Sequence, residues 1–383
     1  MIRLAHPKIP ETVHERFREI LDTGQLTGGR FVQLLEQELS QRLSGALVTL
    51  MSSGTTAALI AFHSFQKQGA RKVLVPDFCY PSVVSSALRL GYEVVLVDVE
   101  PERLNINLEQ VMGHEKGRHT VLMSVDQFGI PGPNEQLREL ASKQDWWWFE
   151  DAACALGSHE KSVPCASRAD LSILSFHPRK TLTTAEGGAV VSTRSVLHEL
   201  AGHLRNQGIG GVGAQRQFLD TGYNARLSEF HAAIGLAQLE IFDEILSQRR
   251  KLGAHYRKRL KELPQLTVPA GYSDPGANFQ SLAVGLPEGV DRTLVVNEML
   301  ASGVETTMAG FAIHHQPVFS KLARSGDNLV ASYWYQSGLA LPIHERMDIE
   351  DVNQVVDALT STLETLHPPR KPEDMQELPG DAK

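Results

Sequence analysis

Cysteine and long apolar runs are both scarce in this chain. The 383 residues include three cysteines, Cys79, Cys154 and Cys165, a small and odd number with no spacing of the kind that binds a metal. This usage favours a reducing cytosol. No apolar run is long enough to span a membrane, and the first residues lack the apolar core of a signal peptide. We therefore expect a cytoplasmic protein with no membrane partner.

An excess of positive charge is missing as well. The formal net charge is −8 and the isoelectric point is about 6.0, which argues against an extended surface for nucleic acid. The chain is 42% hydrophobic and 21% charged, which is ordinary for a soluble globular protein with a sizeable core. Its length favours two or three domains.

Short apolar runs alternate regularly with helix-like patterns along the first half of the chain. Such alternation is typical of parallel strands joined by crossover helices. Seven runs predict strands, at residues 47–51, 72–75, 93–97, 120–125, 146–149, 171–175 and 189–192. We therefore predict an α/β fold whose large domain holds a mostly parallel seven-stranded sheet flanked by helices.

The predicted domains divide the chain after residue 245. The large domain, 1–245, begins with a helical segment, and a long helical pattern at 227–260 links it to a smaller C-terminal α+β domain at 246–366. Within the small domain, residues 281–284 and 293–296 resemble strands. The proline-rich, charged residues 367–383 predict a flexible tail.

The residues that follow each strand are the informative ones, because ligands of an open parallel sheet bind beyond the carboxyl ends of its strands. After the first strand, residues 52–58 are small and rich in hydroxyl groups, and they open a helix. Its backbone N–H groups suit a phosphate, with Thr55 and Thr56 as further donors. A plain Ser/Thr N-cap is the alternative. Ser175, at the end of the sixth strand, could reach the same phosphate.

Lys180 follows Ser175 by five residues. A lysine near the end of a buried strand is costly without a task, and one such task is a Schiff base with an aldehyde cofactor, chiefly pyridoxal phosphate. Asp151, after the fifth strand, suits a pyridinium nitrogen, and Tyr80, after the second, could stack on a flat ring. A solvated lysine, a capping aspartate and a loop tyrosine are the ordinary alternatives. Together, however, these residues indicate a pyridoxal phosphate site.

A glycine pattern at residues 208–213 matches the dinucleotide signature G-x-G-x-x-G. That signature has force only after a strand and before a helix. Here it follows a polar helical stretch, so we interpret it as a flexible loop and reject a nicotinamide cofactor.

Six segments resemble the DegT/DnrJ-type aminotransferases, pyridoxal phosphate enzymes of fold type I that are best known for acting on keto sugars. The resemblance runs from about Gly24 to Leu359. The matching segments are SSGTTAAL (52–59), VPDFCYPSVVSSALRLGYEVVLVDVE (75–100), EDAACALGS (150–158), SFHPRKTLTTAEGGAVV (175–191), GYNARLSEFHAAIGLAQLE (222–240) and LPIHERMDIEDVNQVV (341–356).

The resemblance implies a role for each matching residue. Lys180 would form the Schiff base and later shuttle protons, Asp151 would bind the pyridine nitrogen, and Tyr80 would stack on the ring. Asn224 would reach the phosphate site of a neighbouring subunit, which implies a homodimer with shared active sites. The phosphate contacts implied within the chain are Gly54, Thr55, Thr56 and Ser175.

Two departures from the family pattern and one agreement bear on the chemistry. The resemblance implies that Cys154 would lie near the ring hydroxyl, where the family often has His or Gln, and a thiol is a weak hydrogen-bond donor. Residues 126–129 read DQFG where the family often has a His before an aromatic residue and Gly, which affects substrate contacts more than the cofactor. A dehydratase branch replaces the lysine with histidine, so Lys180 favours transamination.

The resemblance implies an aminotransferase that moves an amino group from an amino acid, by family habit glutamate, to a keto sugar that is most often nucleotide-linked. A keto-cyclitol or another small keto compound is an alternative acceptor. A non-transaminating pyridoxal phosphate enzyme or a regulatory protein of the same fold is the alternative function. Candidate substrate residues are His177, Arg179, Arg226, His314 and His315. For the last two an unliganded loop pair is an equal alternative, and a metal there lacks a third ligand.

Overall fold

The computed structural model describes residues 1–211 and 213–366. Its strands are β1 (Leu47–Met51), β2 (Lys72–Pro76), β3 (Glu93–Val97), β4 (Thr120–Val125), β5 (Trp147–Asp151), β6 (His159–Glu160), β7 (Val163–Pro164), β8 (Leu171–Ser175), β9 (Gly188–Ser192), β10 (Ile209–Gly210), β11 (Gln217–Phe218), β12 (Leu282–Gly285), β13 (Thr307–Met308), β14 (Ala323–Arg324) and β15 (Gly338–Leu341). Its helices are α1 (Val13–Thr23), α2 (Arg30–Arg42), α3 (Gly54–Lys67), α4 (Pro81–Arg89), α5 (Asn134–Gln144), α6 (Ser195–Arg205), α7 (Glu229–Glu240), α8 (Phe242–Arg259), α9 (Arg292–Ala301), α10 (Leu329–Ser337) and α11 (Ile349–Leu366).

The main sheet has eight strands in the order β1-β9-β8-β5-β4-β2-β3-β14. All neighbouring pairs from β8 to β14 are parallel, whereas β9 runs antiparallel to both β8 and β1. The seven predicted strands are therefore confirmed. The eighth, β14, is a two-residue strand that pairs with β3 and is too short to leave a periodic signal in the sequence.

Helices cover both faces of this sheet, and successive side chains of a strand point to opposite faces. In β4, Val121 and Met123 pack with α3, α4 and α6, whereas Leu122 packs on the other face with α5. Near the β1 edge of that second face, α2 and α7 cover Leu174 of β8 and its neighbours. Burial on both faces explains why these strands read as continuous apolar runs.

The C-terminal region packs around the antiparallel sheet β12-β15-β13, in a core that also includes Phe78 and Phe128 from the segments after β2 and β4. The predicted strand at 281–284 is present as β12, but the one at 293–296 is wrong, because these residues lie in α9. Asp291 caps that helix by accepting a hydrogen bond from the Thr293 N–H at 2.7 Å. Val295 and Met299, one turn apart, then face the core, so tertiary packing outweighs the β-branched residues.

The long helical pattern at 227–260 is two helices, α7 and α8, which meet at Ile241. The start of α8 packs in the core beneath the main sheet through Phe242, and its end packs in the C-terminal core through Tyr256. The helix therefore spans both regions, and a domain boundary after residue 245 stays a prediction. The predicted flexible tail, 367–383, lies outside the described residues.

None of the helices within 1–211 and 213–366 combines the length and the apolar character that crossing a bilayer requires.

Candidate active site

A cavity of about 720 Å³ opens at the carboxyl ends of the central strands. It is lined by the segments that follow β1, β2, β4, β5 and β8, together with residues 307–311 from the C-terminal region. The segments meet because the carboxyl ends of parallel strands share one edge of the sheet. Residues far apart in the chain are thereby brought to one place.

The end of the cavity next to α3 can hold a phosphate. Ser53 is the N-cap, and its hydroxyl accepts a hydrogen bond from the Thr56 N–H at 3.1 Å. The N–H groups of the first helical turn have no partner inside a helix, so those of Gly54 and Thr55 can donate to an anion. Ser175, at the end of β8, lines the same end of the cavity.

Close packing at this end of the cavity depends on glycine. A β-carbon on Gly54 would lie 2.9 Å from Cβ of Ser175, and one on Gly188 would lie 2.6 Å from the Gly54 nitrogen. Either contact would push the N-terminus of α3 away from β8 and β9. Thr56, by contrast, turns from the cavity, since its hydroxyl bonds to Ser52 and Ser53.

Lys180 lies in the turn that follows β8, where its backbone N–H donates to the His177 carbonyl at 2.8 Å. Its side chain enters the cavity, and Nζ donates to Sγ of Cys154 at 3.1 Å. Cys154 belongs to the turn after β5 and is the partly exposed cysteine of the three. The amine and the thiol therefore face the same space.

Asp151 is the last residue of β5 and is 4% exposed. Burial raises the pKa of its carboxyl, although the hydrogen bond from the Ala153 N–H at 3.0 Å and the nearby Lys180 ammonium act in the opposite direction. A buried carboxylate of this kind is stabilised by a cationic partner. A protonated ring nitrogen can be that partner.

Tyr80 is the N-cap residue of α4, with Pro81 at the first helical position. Its side chain is 65% exposed, and its ring meets Phe311 edge-on with the centroids 6.0 Å apart. One face of the phenol ring is thus available to a flat ligand in the cavity.

Two of the five predicted substrate residues, His177 and Arg179, line the cavity. Arg226 lies elsewhere and donates to Oδ1 of Asn206 at 2.6 Å. His314 pairs with the buried Asp77, and His315 stacks on Tyr335 with the ring centroids 5.1 Å apart.

Asn224 is exposed outside the cavity of its own chain, and its backbone bridges to that of Asn206. A role in a neighbouring subunit is compatible with that position and stays a prediction.

Gln127 lines the cavity and belongs to segment 126–129, which the resemblance associated with substrate contacts. Several other lining residues were not assigned from the sequence, namely Cys79, Glu186, Gln280, Ser281 and residues 307–311. Cys79 follows β2 directly before Tyr80, so the rule that led to Tyr80 could have found it. Gln280 donates to the Arg179 carbonyl at 2.8 Å, and like 307–311 it comes from the C-terminal region. No local pattern marks such residues, because their place depends on how that region packs on the sheet.

The glycine pattern at 208–213 follows α6 and not a strand, which agrees with rejecting a dinucleotide site. The interpretation as a flexible loop was wrong in part, since Ile209 and Gly210 form β10, which pairs with β11.

A second group of potential ligands lies buried beneath Asp151. Asp126, Glu150 and Cys165 place one ligand atom each within 4.8 Å of one another. Arg168, however, donates to Oε1 of Glu150 at 3.3 Å and to Sγ of Cys165 at 2.9 Å. The guanidinium already supplies the positive charge that a metal would bring, so this group reads as an internal ion pair.

The donors around the cavity fit pyridoxal phosphate. The first turn of α3 with Thr55 and Ser175 suits the phosphate, Asp151 suits the ring nitrogen, and Lys180 offers an amine for the aldehyde. Gly54 and Gly188, which tolerate no side chain, keep the phosphate end in shape.

The model of the DegT/DnrJ/EryC1/StrS aminotransferase family matches residues 7–360. GDP-perosamine synthase of Caulobacter vibrioides is 28% identical over 366 residues, which cover 94% of this chain and 98% of the relative. A UDP-4-amino-4,6-dideoxy-N-acetyl-beta-L-altrosamine transaminase of Campylobacter jejuni is 27% identical over 379 residues, covering 95% and 98%. In structure, the chain is similar to PseC of Helicobacter pylori, an aminotransferase involved in the biosynthesis of pseudoaminic acid. The TM-score is 0.88 at 23% identity, over 95% of this chain and 99% of that one, which shows the fold.

Proposed function

This chain belongs to the DegT/DnrJ/EryC1/StrS aminotransferase family, and from that premise we propose that it transfers the amino group of glutamate to the keto group of a nucleotide-linked sugar. The general reaction, that of a pyridoxal phosphate-dependent sugar aminotransferase, is the one that the motifs predicted, and the family agrees with it. The observation that carries the proposal is the convergence of Lys180, Asp151 and the start of α3 on one cavity. Both curated relatives have a nucleotide-linked sugar in their names, which supports the acceptor class.

The side chains of the cavity have distinct tasks in this proposal. When bound, pyridoxal phosphate supplies an aldehyde carbon that takes up nitrogen and a ring that withdraws electrons from the neighbouring bond. Asp151 holds a proton on the ring nitrogen by offering a buried carboxylate. Lys180 moves a proton between two carbon atoms through Nζ, for which it must be free and unprotonated at that moment. Cys154 keeps Nζ on the cavity side of the β8 turn.

The remaining residues bind and orient. The N–H groups of Gly54 and Thr55 hold the phosphate with Ser175, and Tyr80 covers one face of the ring. His177 and Arg179 stand where a charged part of a substrate would enter, because both are exposed at the rim of the cavity. An arginine is suited to carboxylate and phosphate groups alike.

A half-reaction screen tests the acceptor class. Enzyme loaded with pyridoxamine phosphate is mixed with nucleotide-linked keto sugars, free keto sugars, keto-cyclitols and small keto acids in turn. We expect amino product from the nucleotide-linked sugars at rates at least about tenfold above the free sugars, because the nucleotide adds binding energy away from the reacting carbon. Faster reaction of a free sugar or a cyclitol would contradict the proposed acceptor while leaving the aminotransferase intact.

The same screen run with amino acids on the pyridoxal phosphate form identifies the donor. Glutamate should bleach the near-visible absorbance of the bound cofactor. A chain that binds the cofactor and is not bleached by any amino acid would be a regulatory protein or another type of pyridoxal phosphate enzyme.

A homodimer with shared sites forms part of the proposal. Asn224 would contribute to the phosphate site of the partner, and the exposed position of Asn224 outside its own cavity supports this. The three unpaired cysteines support a cytoplasmic location.

Subunit mixing tests the shared site. Lys180→Ala and Asn224→Ala chains are each expected to be poorly active, but a mixed dimer would keep one site with Lys180 from one chain and Asn224 from the other. Random reassociation should restore about a quarter of the wild-type activity, since half of the dimers are mixed and each has one intact site. Activity equal to the average of the two separate variants would show that Asn224 acts within its own chain.

A further inference from the structure

Asp77, the residue that follows β2, is completely buried and three residues before Tyr80. Its Oδ1 accepts a hydrogen bond from the His314 N–H at 3.0 Å. Its Oδ2 bonds to Nδ1 of His314 and accepts a hydrogen bond from Nδ2 of Asn328 at 2.7 Å. A buried carboxylate is tolerated only with such partners. We call Asp77, His314 and Asn328 the Asp77 joint.

The Asp77 joint is connected to the cavity by two short antiparallel segments. The Ile313 N–H donates to the Asp77 carbonyl at 2.7 Å, and the Cys79 N–H donates to the Phe311 carbonyl at 3.2 Å. Between them Phe78 and Ala312 form a β-bridge. The Asp77 joint closes one end of this pair of segments, and Tyr80 faces Phe311 at the other end.

The two segments are closely packed against each other. A β-carbon on Gly310 would lie 2.6 Å from the Phe78 ring, so the segment of Gly310 and Phe311 lies directly on that ring. Residues 307–311 form part of the cavity wall, to which the C-terminal region contributes. A shift at the Asp77 joint would therefore move the wall relative to Tyr80.

We propose that His314 and Asp77 are positioning residues, which set the distance between Tyr80 and the wall at Phe311 that confines the keto acceptor. This rests on the proposed use of the cavity for that acceptor. His314 does not reach the cavity itself, in contrast to the sequence-based expectation that it contacts substrate. It acts through the two segments.

The same side chains resemble a hydrolytic triad in their order, because Oγ of Ser332 lies 3.2 Å from Nε2 of His314, whose other nitrogen bonds to Asp77. Two contacts argue against it. Oγ of Ser332 also lies 3.1 Å from Nε2 of His315. The Ser332 N–H donates a hydrogen bond to the Asn328 carbonyl at 3.1 Å. That N–H is therefore not free to stabilise an oxyanion.

His314→Phe tests the inference, because it keeps a ring of similar size and removes the side-chain bond to Asp77 while leaving the backbone N–H that also donates to it. We expect the KM for the acceptor to rise about tenfold and kcat to change less than about threefold, since the wall confines the acceptor without taking part in proton transfer. The visible circular dichroism of the bound cofactor should also change as Tyr80 shifts. His314→Asn, whose amide can donate to Asp77, should restore both values.

His315→Phe is the matched control. This neighbouring histidine contacts Ser332, Tyr335 and the His314 ring but has no bond to Asp77. A phenylalanine ring at 315 keeps the contact with His314, so KM and the dichroism should stay as in the wild type. The inference would be overturned if KM and the dichroism were unchanged in His314→Phe. It would also be overturned if KM were unchanged while kcat and thermal stability fell together. Should His314→Phe fail to fold, Asp77→Asn carries the same expectation, and normal values in it would equally overturn the inference.

The screen of acceptors separates this result from the proposed function. The variants are measured with whichever ketone the wild-type enzyme accepts, and the dichroism requires no acceptor. A failure of nucleotide-linked sugars as substrates therefore leaves the test of the Asp77 joint in place.

Discussion

Replacing Lys180 by alanine should lower transamination by about 10³-fold or more while leaving the chain folded. Among the described residues that line the cavity, Lys180 alone carries a primary amine. Loss of that amine removes both the nucleophile for the cofactor aldehyde and the proton carrier, and a positioned acid–base group alone contributes about 10²–10⁴-fold. Steady-state rates with glutamate and the accepted ketone give the measurement.

Lys180→Arg separates chemistry from charge. Arginine keeps a positive group near Asp151 and Cys154 but stays protonated and cannot serve as the amine. We expect the same loss as with alanine and a melting temperature close to that of the wild type. Lys161, a surface lysine paired with Glu135, provides the control, since Lys161→Ala should not change the rate. More than about a tenth of the wild-type rate in Lys180→Arg would remove Lys180 from the mechanism.

Asp151→Asn should weaken cofactor binding by about tenfold or more and lower kcat by about 10²-fold, because asparagine cannot hold a proton on the ring nitrogen. In the cofactor-free enzyme, by contrast, Asp151→Asn should raise thermal stability. Burial raises the pKa of Asp151 in the folded chain above the ordinary 3.8, so an ionised carboxylate there destabilises the fold when no cationic ring is present.

The pH dependence follows from that direction. A carboxyl that binds its proton more tightly in the folded protein lowers the free energy of unfolding as the pH rises from its pKa in the unfolded chain to its pKa in the folded one. The loss of stability is complete above the folded-state pKa. Cofactor-free Asp151→Asn should therefore melt above the wild type at pH 7–8, and the difference should vanish below about pH 4. Thermal melts across this range measure it.

Glu186→Gln is a fitting comparison for Asp151→Asn. Glu186 also lines the cavity but is exposed, so its neutralisation should not raise the melting temperature of the cofactor-free enzyme. The assignment of Asp151 as a buried anion without a cationic partner in the cofactor-free enzyme would be contradicted by equal changes in melting temperature for the two substitutions. A wild type more stable than Asp151→Asn at pH 7–8 would contradict it as well.

The central strands and the residues at their ends were predictable because they obey local rules. β4 and β8 are buried on both faces and read as apolar runs, and the topology of a parallel sheet then brings Asp151 and Ser175 to one edge. The small, hydroxyl-rich start of α3 likewise binds anions through N–H groups of adjacent residues, so its role could be predicted locally. These features required no knowledge of distant contacts.

The features that escaped prediction depend on packing between distant segments. Thr293–Val296 has strand-forming residues, yet its cap at Asp291 and the core contact of Val295 make it helical. Phe311 lies at the cavity because the Asp77 joint and the bridge between Phe78 and Ala312 hold its segment beside the end of β2, a pairing of residues more than 200 positions apart. Nothing in the spacing of His314 and His315 indicates that one meets a buried aspartate and the other a tyrosine.

The central claim is that Lys180 is the residue to which pyridoxal phosphate is covalently attached. Reduction of the loaded enzyme with borohydride, digestion and mass spectrometry of the peptides test it directly. The account predicts a pyridoxyl group on the peptide that contains Lys180, and its disappearance when glutamate is added before the reductant. A pyridoxyl group on another lysine, or none on any peptide, would contradict it.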